Sequence, residues 1–214
     1  MSTAIVGVGN IGRTLAGELV AGGEQVVLAA RQTPNELARQ LGDLAAATTV
    51  PDAIESADVV IFAVWLDVVE GLIEQNRTLL ADKVVVDPTN PVAVNDKGEI
   101  SRTLPEGVSS GSVIAGLLPE TVHFVKAFGT LSAGSLQRST NRAPNRAVLF
   151  YATNDDEAQT AIERLISVAG FDPLKVGGID AATRIEVGGD LNESGLNGQL
   201  VDAEQARVAI ASRR

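Results

Sequence analysis

The 214-residue sequence predicts an α/β fold, a doubly wound parallel sheet with a short C-terminal extension. Three observations point there. Apolar runs of strand length alternate with helical patterns as far as residue 152, the order that builds βαβ units. Asp58 to Val64 is apolar at almost every position, which suits a strand covered on both faces. A glycine-rich turn joins the first strand to the first helix.

Each element follows from its residues. Thr3 to Val8 is a short apolar run of buried-strand length. A helix is predicted over Ile11 to Val20, with Leu15 and Leu19 one turn apart and Gly22-Gly23 ending it. Gln25 to Ala30 is the second strand. Thr33-Pro34-Asn35-Glu36 has the form of a capping box with proline at the first helical position, opening a helix to about Leu41. After the strand at Asp58 to Val64, Leu66 to Leu80 reads as a helix, with Val69, Leu72, Ile73 and Leu80 on one stripe. Lys83 to Asp87, Val122 to Phe128 and Arg146 to Ala152 complete six predicted strands. Asn154, with Glu157 three residues on, is the expected cap of a helix that turns Ala161, Ile162, Leu165 and Ile166 inward.

Beyond Gly170 the chain is rich in glycine and polar residues, and a last helix is predicted over Val201 to Ser212. The expected division is a nucleotide-binding domain over 1–175 and an extension over 176–214 that completes a pocket or meets a second subunit. Deleting 188–214 is then expected to lower activity or oligomeric order. Pro88 to Ser112 has many breakers and little periodicity. It reads as a long loop leaving the C-terminal end of a strand, where open α/β sheets bind ligands. A lid or substrate-contacting loop and a plain surface excursion both fit it.

Composition narrows the function. The net charge is −10, from 27 acids against 17 bases, which disfavours nucleic acid because that partner needs a basic face. With no cysteine and one histidine, no disulfide, thiolate nucleophile or metal site is expected. Aromatics are 3%, so the core is aliphatic. No apolar stretch is long enough to span a bilayer, and no basic-then-apolar leader is seen. A soluble cytoplasmic protein without a membrane partner is the expectation.

The chemistry is carried by Gly7-Val8-Gly9-Asn10-Ile11-Gly12, spaced G-x-G-x-x-G between a strand and a helix. Gly7 permits the tight turn, Gly9 lets the backbone approach a pyrophosphate, and Gly12 lets the helix pack close to the sheet. The free N–H groups and positive end of that helix face the diphosphate. This makes the fold Rossmann-type. A site for NAD places an acid at the end of the second strand. Here Ala30-Arg31-Gln32-Thr33 stands there without one. A guanidinium at Arg31 pairs with a 2′-phosphate, so NADP(H) is the expected cofactor. Pro88-Thr89-Asn90-Pro91 closes the fourth long strand, a position beside the nicotinamide in this fold, where Asn90 offers donors and an acceptor.

On these motifs the chain resembles the coenzyme F-420 (deazaflavin)-dependent NADP oxidoreductases. The resemblance rests on Val6 to Gly12, Val85-Val86-Asp87-Pro88-Thr89-Asn90-Pro91, Val125-Lys126-Ala127-Phe128 and Leu149-Phe150-Tyr151-Ala152, and runs from about residue 3 to 175. It implies a small homodimeric NADP-binding protein that moves hydride between NADP(H) and a second redox partner. Gly9 to Gly12 would cradle the pyrophosphate and Arg31 the 2′-phosphate, with Asn90-Pro91 and Ala127-Phe128 flanking the nicotinamide; Gly7, Gln32, Thr33, Ala63, Val64 and Trp65 complete the expected cofactor-binding set. Where the family often has Ala-Val-Pro-Trp, this chain has Ala63-Val64-Trp65-Leu66, and Gly129-Thr130 replaces Asn-Thr after Lys-Ala-Phe. Both changes fall near the redox pocket.

No acid or base stands out. Hydride transfer to a flavin-like ring needs positioning more than a proton donor. His123 and Lys126, three apart on one strand, point to opposite faces. Lys126 reads as a candidate donor or a structural ion pair, and His123 as a surface or strand-start residue. Arg138, Arg142 and Arg146 fall in a polar segment that is either solvated or attractive to an anionic partner. Three functions stay open. The first is hydride transfer between NADP(H) and a deazaflavin or flavin-like acceptor. The second is NADPH-dependent reduction of a small carbonyl or imine, for which the chain ends short of the helical domain such enzymes carry. The third is NADP(H) sensing without catalysis.

Overall fold

The computed structural model describes residues 2–32 and 34–212. Thr33, expected to open the second helix and to touch the cofactor, lies outside the described residues. The elements in order are β1 (Ser2–Val6), α1 (Asn10–Ala21), β2 (Gln25–Ala29), α2 (Asn35–Leu41), β3 (Ala45–Ala47), α3 (Val50–Ser56), β4 (Val59–Phe62), α4 (Leu66–Gln75) and β5 (Val84–Asp87). Next come the hairpin β6 (Val92–Val94) and β7 (Ile100–Arg102), α5 (Ser110–Leu117), β8 (His123–Lys126), α6 (Ala133–Ser139), β9 (Val148–Ala152), α7 (Asp156–Val168) and β10 (Asp172–Gly177). A 3-10 turn (Ile179–Arg184) and α8 (Ala203–Ala211) follow.

The main sheet has eight strands in the order β10-β9-β8-β5-β4-β1-β2-β3. The chain order reverses between β1 and β4, so the crevice above their C-terminal ends is the switch point where such sheets bind ligands. Within this sheet, β3, β2, β1, β4, β5 and β8 pair in parallel. β9 runs antiparallel to β8, with Lys126 opposite Ala152, and β10 is parallel to β9. The sheet is therefore a Rossmann-type doubly wound sheet, mostly parallel, with its last two strands reversed.

Alternation along the strands builds two cores. Ile5, Val59, Ile61, Val84, Val86 and Val125 face α1, α2, α6 and α7. Ala4, Val6, Val60, Phe62, Val85 and Phe124 face α3, α4 and α5. Because every central strand is covered on both faces, its sequence is an unbroken apolar run. A third cluster sets Ile185, Leu191, Val201 and Ala206 of the extension on Val148, Phe150 and Ala152 of β9.

Several local expectations change. α2 begins at Asn35, with Pro34 rather than Thr33 at its N-cap. α7 is capped by Asp155, whose carboxylate accepts from the Ala158 amide at 2.8 Å; Asn154 instead accepts from the Ile179 amide at 2.6 Å. α4 ends at Gln75, where Asn76 caps it and bonds back to the Leu72 carbonyl. The long loop after β5 contains the β6–β7 hairpin and closes into α5 at Ser110. Arg138 lies on α6. Arg142 holds the carbonyls of Asn145 and Leu200, and Arg146 reaches that of Ser167.

Candidate functional site

The glycine turn sits at the switch point. Gly7 has φ of +103° and its amide donates to the Ala29 carbonyl at 2.8 Å. A Cβ there would lie 2.3 Å from the Ala63 carbonyl oxygen and 2.6 Å from Val64 Cγ1. At Gly12 it would lie 2.0 Å from the Gly7 oxygen and 3.1 Å from Ala63 Cβ. These contacts bring Gly7, Gly12, Ala63 and Val64 together and press α1 onto the turn. Gly9 differs: it is the exposed N-cap of α1, and a Cβ there would meet nothing within 4 Å. Open space therefore faces the first turn of α1, where Asn10 is exposed and Ile11 half-buried. A diphosphate at a helix start needs such room.

The start of α1 differs electrostatically from the other helix starts among the described residues. It has neither a side-chain cap nor an acid in its first turn. α2 and α4 have acids there, Glu36 and Asp67. α3, α5, α6, α7 and α8 are capped by Thr49, Ser109, Ser132, Asp155 and Asp202. Two carboxylates from the extension reach further. Glu186 accepts from the Ser110 and Gly111 amides of α5 at 3.1 and 3.0 Å, and Glu193 accepts from the Ser132 amide of α6 at 2.8 Å. Among the described residues, α1 alone starts with neither cap nor acid, which leaves its positive end to an outside anion. Arg13, exposed in that first turn, was not singled out from the sequence. A cation at this end of a helix is unfavourable unless an anion shares the site.

Arg31 and Gln32 are exposed beyond the end of β2, and Arg31 makes no hydrogen bond or ion pair among the described residues. Trp65 is 56% exposed at the mouth of β4. On the far side of the switch point, Asn90 donates to the Gly129 carbonyl at 3.0 Å and accepts from the Val187 amide at 2.7 Å. Pro91 is buried beside it. The Ala127 amide donates to the Asp87 carbonyl at 3.1 Å. Phe128 has φ of +63° and a fully buried ring packed in the core, so it offers the crevice only backbone.

Beneath these segments lies a network only partly visible in the sequence. Asp87 and Lys126 face each other in the β5–β8 register and are 0% and 1% exposed. Lys126 Nζ donates to Asp87 Oδ2 at 2.7 Å, to Ser110 Oγ at 2.7 Å and to the Thr89 carbonyl. Ser110 Oγ in turn donates to Glu186 Oε1 at 2.8 Å. The ion-pair role for Lys126 is thus observed. Charged residues closing two apolar strands were its signal; Glu186, arriving from 76 residues beyond Ser110, had none. His123, on the opposite side of its strand, pairs with Asp155 at 2.9 Å and Glu157 at 3.2 Å. Among the described residues, no cluster of three or more metal-ligating side chains occurs, and no helix is long and apolar enough to cross a membrane.

Fold and glycine turn define the class: a Rossmann-type α/β fold. Residues 2–91 match the family described as NADP oxidoreductase, coenzyme F420-dependent, which bears out the resemblance read from the sequence. The chain is 26% identical over 198 residues to the F420-dependent NADP reductase of Methanothermobacter thermautotrophicus, covering 87% of this chain and 85% of that one. It is 31% identical over 182 residues to the metalloreductase STEAP3 of Rattus norvegicus, covering 85% of this chain. It spans only 35% of that relative's length. The crystal structure of hypothetical protein SMa0349 from Sinorhizobium meliloti superimposes with a TM-score of 0.81 at 27% identity, over 94% of this chain and 95% of the other. The matching family and the two named relatives are oxidoreductases.

Proposed function

We propose that this chain binds NADP(H) against α1 and transfers hydride between it and a deazaflavin or flavin-like acceptor. The observation that carries the reading is the uncapped, acid-free start of α1 beside the open face of Gly9. In this reading the amides from Gly9 to Gly12 bind the diphosphate, with Asn10 and Ile11 in the first turn and Arg13 adding charge. Arg31 binds the 2′-phosphate, with Gln32 and Thr33 beside it. Ala63, Val64 and Trp65 line the crevice, and the exposed indole offers a flat face to an aromatic ring. Asn90-Pro91 and Ala127-Phe128 flank the nicotinamide, mainly through backbone. The cofactor supplies the hydride chemistry; the protein supplies position and electrostatics. We also propose that the protein is a homodimer, as the family resemblance implies, and that it works in the cytoplasm.

The test is titration with NADPH and NADH, followed by NADPH oxidation against a deazaflavin, a flavin and a carbonyl panel. Preference for NADPH with turnover of the deazaflavin or flavin is expected. Turnover of carbonyls alone would move the protein to the reductase reading. Tight binding with no turnover would make it a sensor. Light scattering checks the dimer.

A further inference from the structure

We propose that the buried Asp87–Lys126–Glu186 network carries one excess negative charge that makes the site prefer the cationic, oxidised nicotinamide, so that Glu186 biases the cofactor toward giving up hydride. The inference rests on the NADP(H) reading above and adds a direction to it.

Donor counting assigns the charges. Lysine has three donors and no acceptor, and all three are used, on Asp87, Ser110 and the Thr89 carbonyl. That is the bonding pattern of an ammonium beside a carboxylate. Asp87 accepts twice, from Lys126 and, through Oδ1, from the Thr89 amide at 2.8 Å. Glu186 accepts from two obligatory donors, the Ser110 and Gly111 amides, and lies 2.8 Å from the Ser110 hydroxyl, which also reaches the Thr89 carbonyl at 3.3 Å. Lys126 Nζ lies 3.4 Å from Glu186 Oε1. Two carboxylates thus share one ammonium, all three side chains at most 1% exposed. The first-turn amides of α5 offset part of the excess, which is how so dry a carboxylate is held.

The network also adjoins the segments assigned to the nicotinamide. Thr89, whose carbonyl Lys126 holds, precedes Asn90; Lys126 precedes Ala127; and Val187, next to Glu186, donates to Asn90. When hydride leaves the reduced ring, the C–H bond breaks with both electrons passing to the flavin-like acceptor, and the ring changes from neutral to cationic. A fixed negative charge nearby stabilises only the second state. One unit charge on the order of 10 Å away, at an effective dielectric of about 20, alters the preference roughly tenfold.

The readout is the ratio of the dissociation constants for NADP⁺ and NADPH, measured by calorimetry on the full chain. Glu186→Gln keeps the shape and removes the charge, and is expected to raise that ratio about tenfold. Asp87→Asn removes the same charge from the other end and should shift the ratio in the same direction, which keeps the test available if the first variant fails to fold. Glu193→Gln, in the same extension but bonded to the start of α6, is the control and should leave the ratio unchanged. A purely structural network would weaken both forms equally. An unchanged ratio in the Glu186 and Asp87 variants, with wild type binding both forms, overturns this inference and leaves the NADP(H) reading standing. Wild type binding neither form overturns both.

Discussion

At Gly12 a Cβ would lie 2.0 Å from the Gly7 oxygen, whereas at Gly9 it would meet no atom within 4 Å. One glycine serves packing and the other leaves room for something outside the chain. Gly12→Ala should therefore cost about 1–3 kcal/mol of stability through overpacking, seen as a lower urea midpoint. Gly9→Ala should leave the midpoint nearly unchanged yet weaken NADPH binding about tenfold by calorimetry. Arg31→Ala should weaken NADPH about 10- to 100-fold, the worth of a charge-assisted contact, while NADH binding stays almost constant. His123 makes a pH prediction. Its hydrogen bond to Asp155 raises its pKa above the ordinary value, with Glu157 and Asp82 adding to the shift and burial opposing it. A raised folded-state pKa means the stabilisation is complete below about pH 6.5 and is lost as pH rises through the raised value. His123→Gln should thus destabilise the protein more at pH 5.5 than at pH 9 in paired denaturant titrations.

Elements were legible where the signal was local. β1, β4, β5, β8 and β9 announce themselves as apolar runs because both faces are covered. β3 is three alanines at the sheet edge, and β10 carries Pro173 on the other edge, where a missing donor costs nothing. Neither composition reads as a strand. α6 is rich in serine and glycine, and part of what holds its start is Glu193, 58 residues beyond Ser135 in the chain. The glycine turn was readable because its spacing falls between an apolar strand and a helix, while Glu186 became visible only when the fold brought it to α5. The β5–β8 pair makes the element-scale prediction. Lys126→Met leaves Asp87 and Glu186 buried without their ammonium and should cost about 3–5 kcal/mol, measured by urea unfolding. The central strands should lose amide-exchange protection along with it.

For the whole molecule, the extension beyond residue 175 closes one face of β9 and supplies carboxylates to α5 and α6, the helices that follow β5 and β8. Removing residues 188–214 would uncover Val148 and Phe150 and delete Glu193. The truncated chain should be aggregation-prone, with a lowered melting temperature in a thermal scan. Recovery of a monodisperse, equally stable protein would contradict that role. The molecule as a whole thus shields its other helix starts and leaves one open at the switch point of the sheet. A crystal structure with NADP⁺ bound tests this claim most directly. The diphosphate is expected on the Gly9–Gly12 amides, the 2′-phosphate on Arg31 and the nicotinamide between Asn90 and Ala127. A nucleotide bound away from α1, or a 2′-phosphate with Arg31 turned from it, would contradict the account.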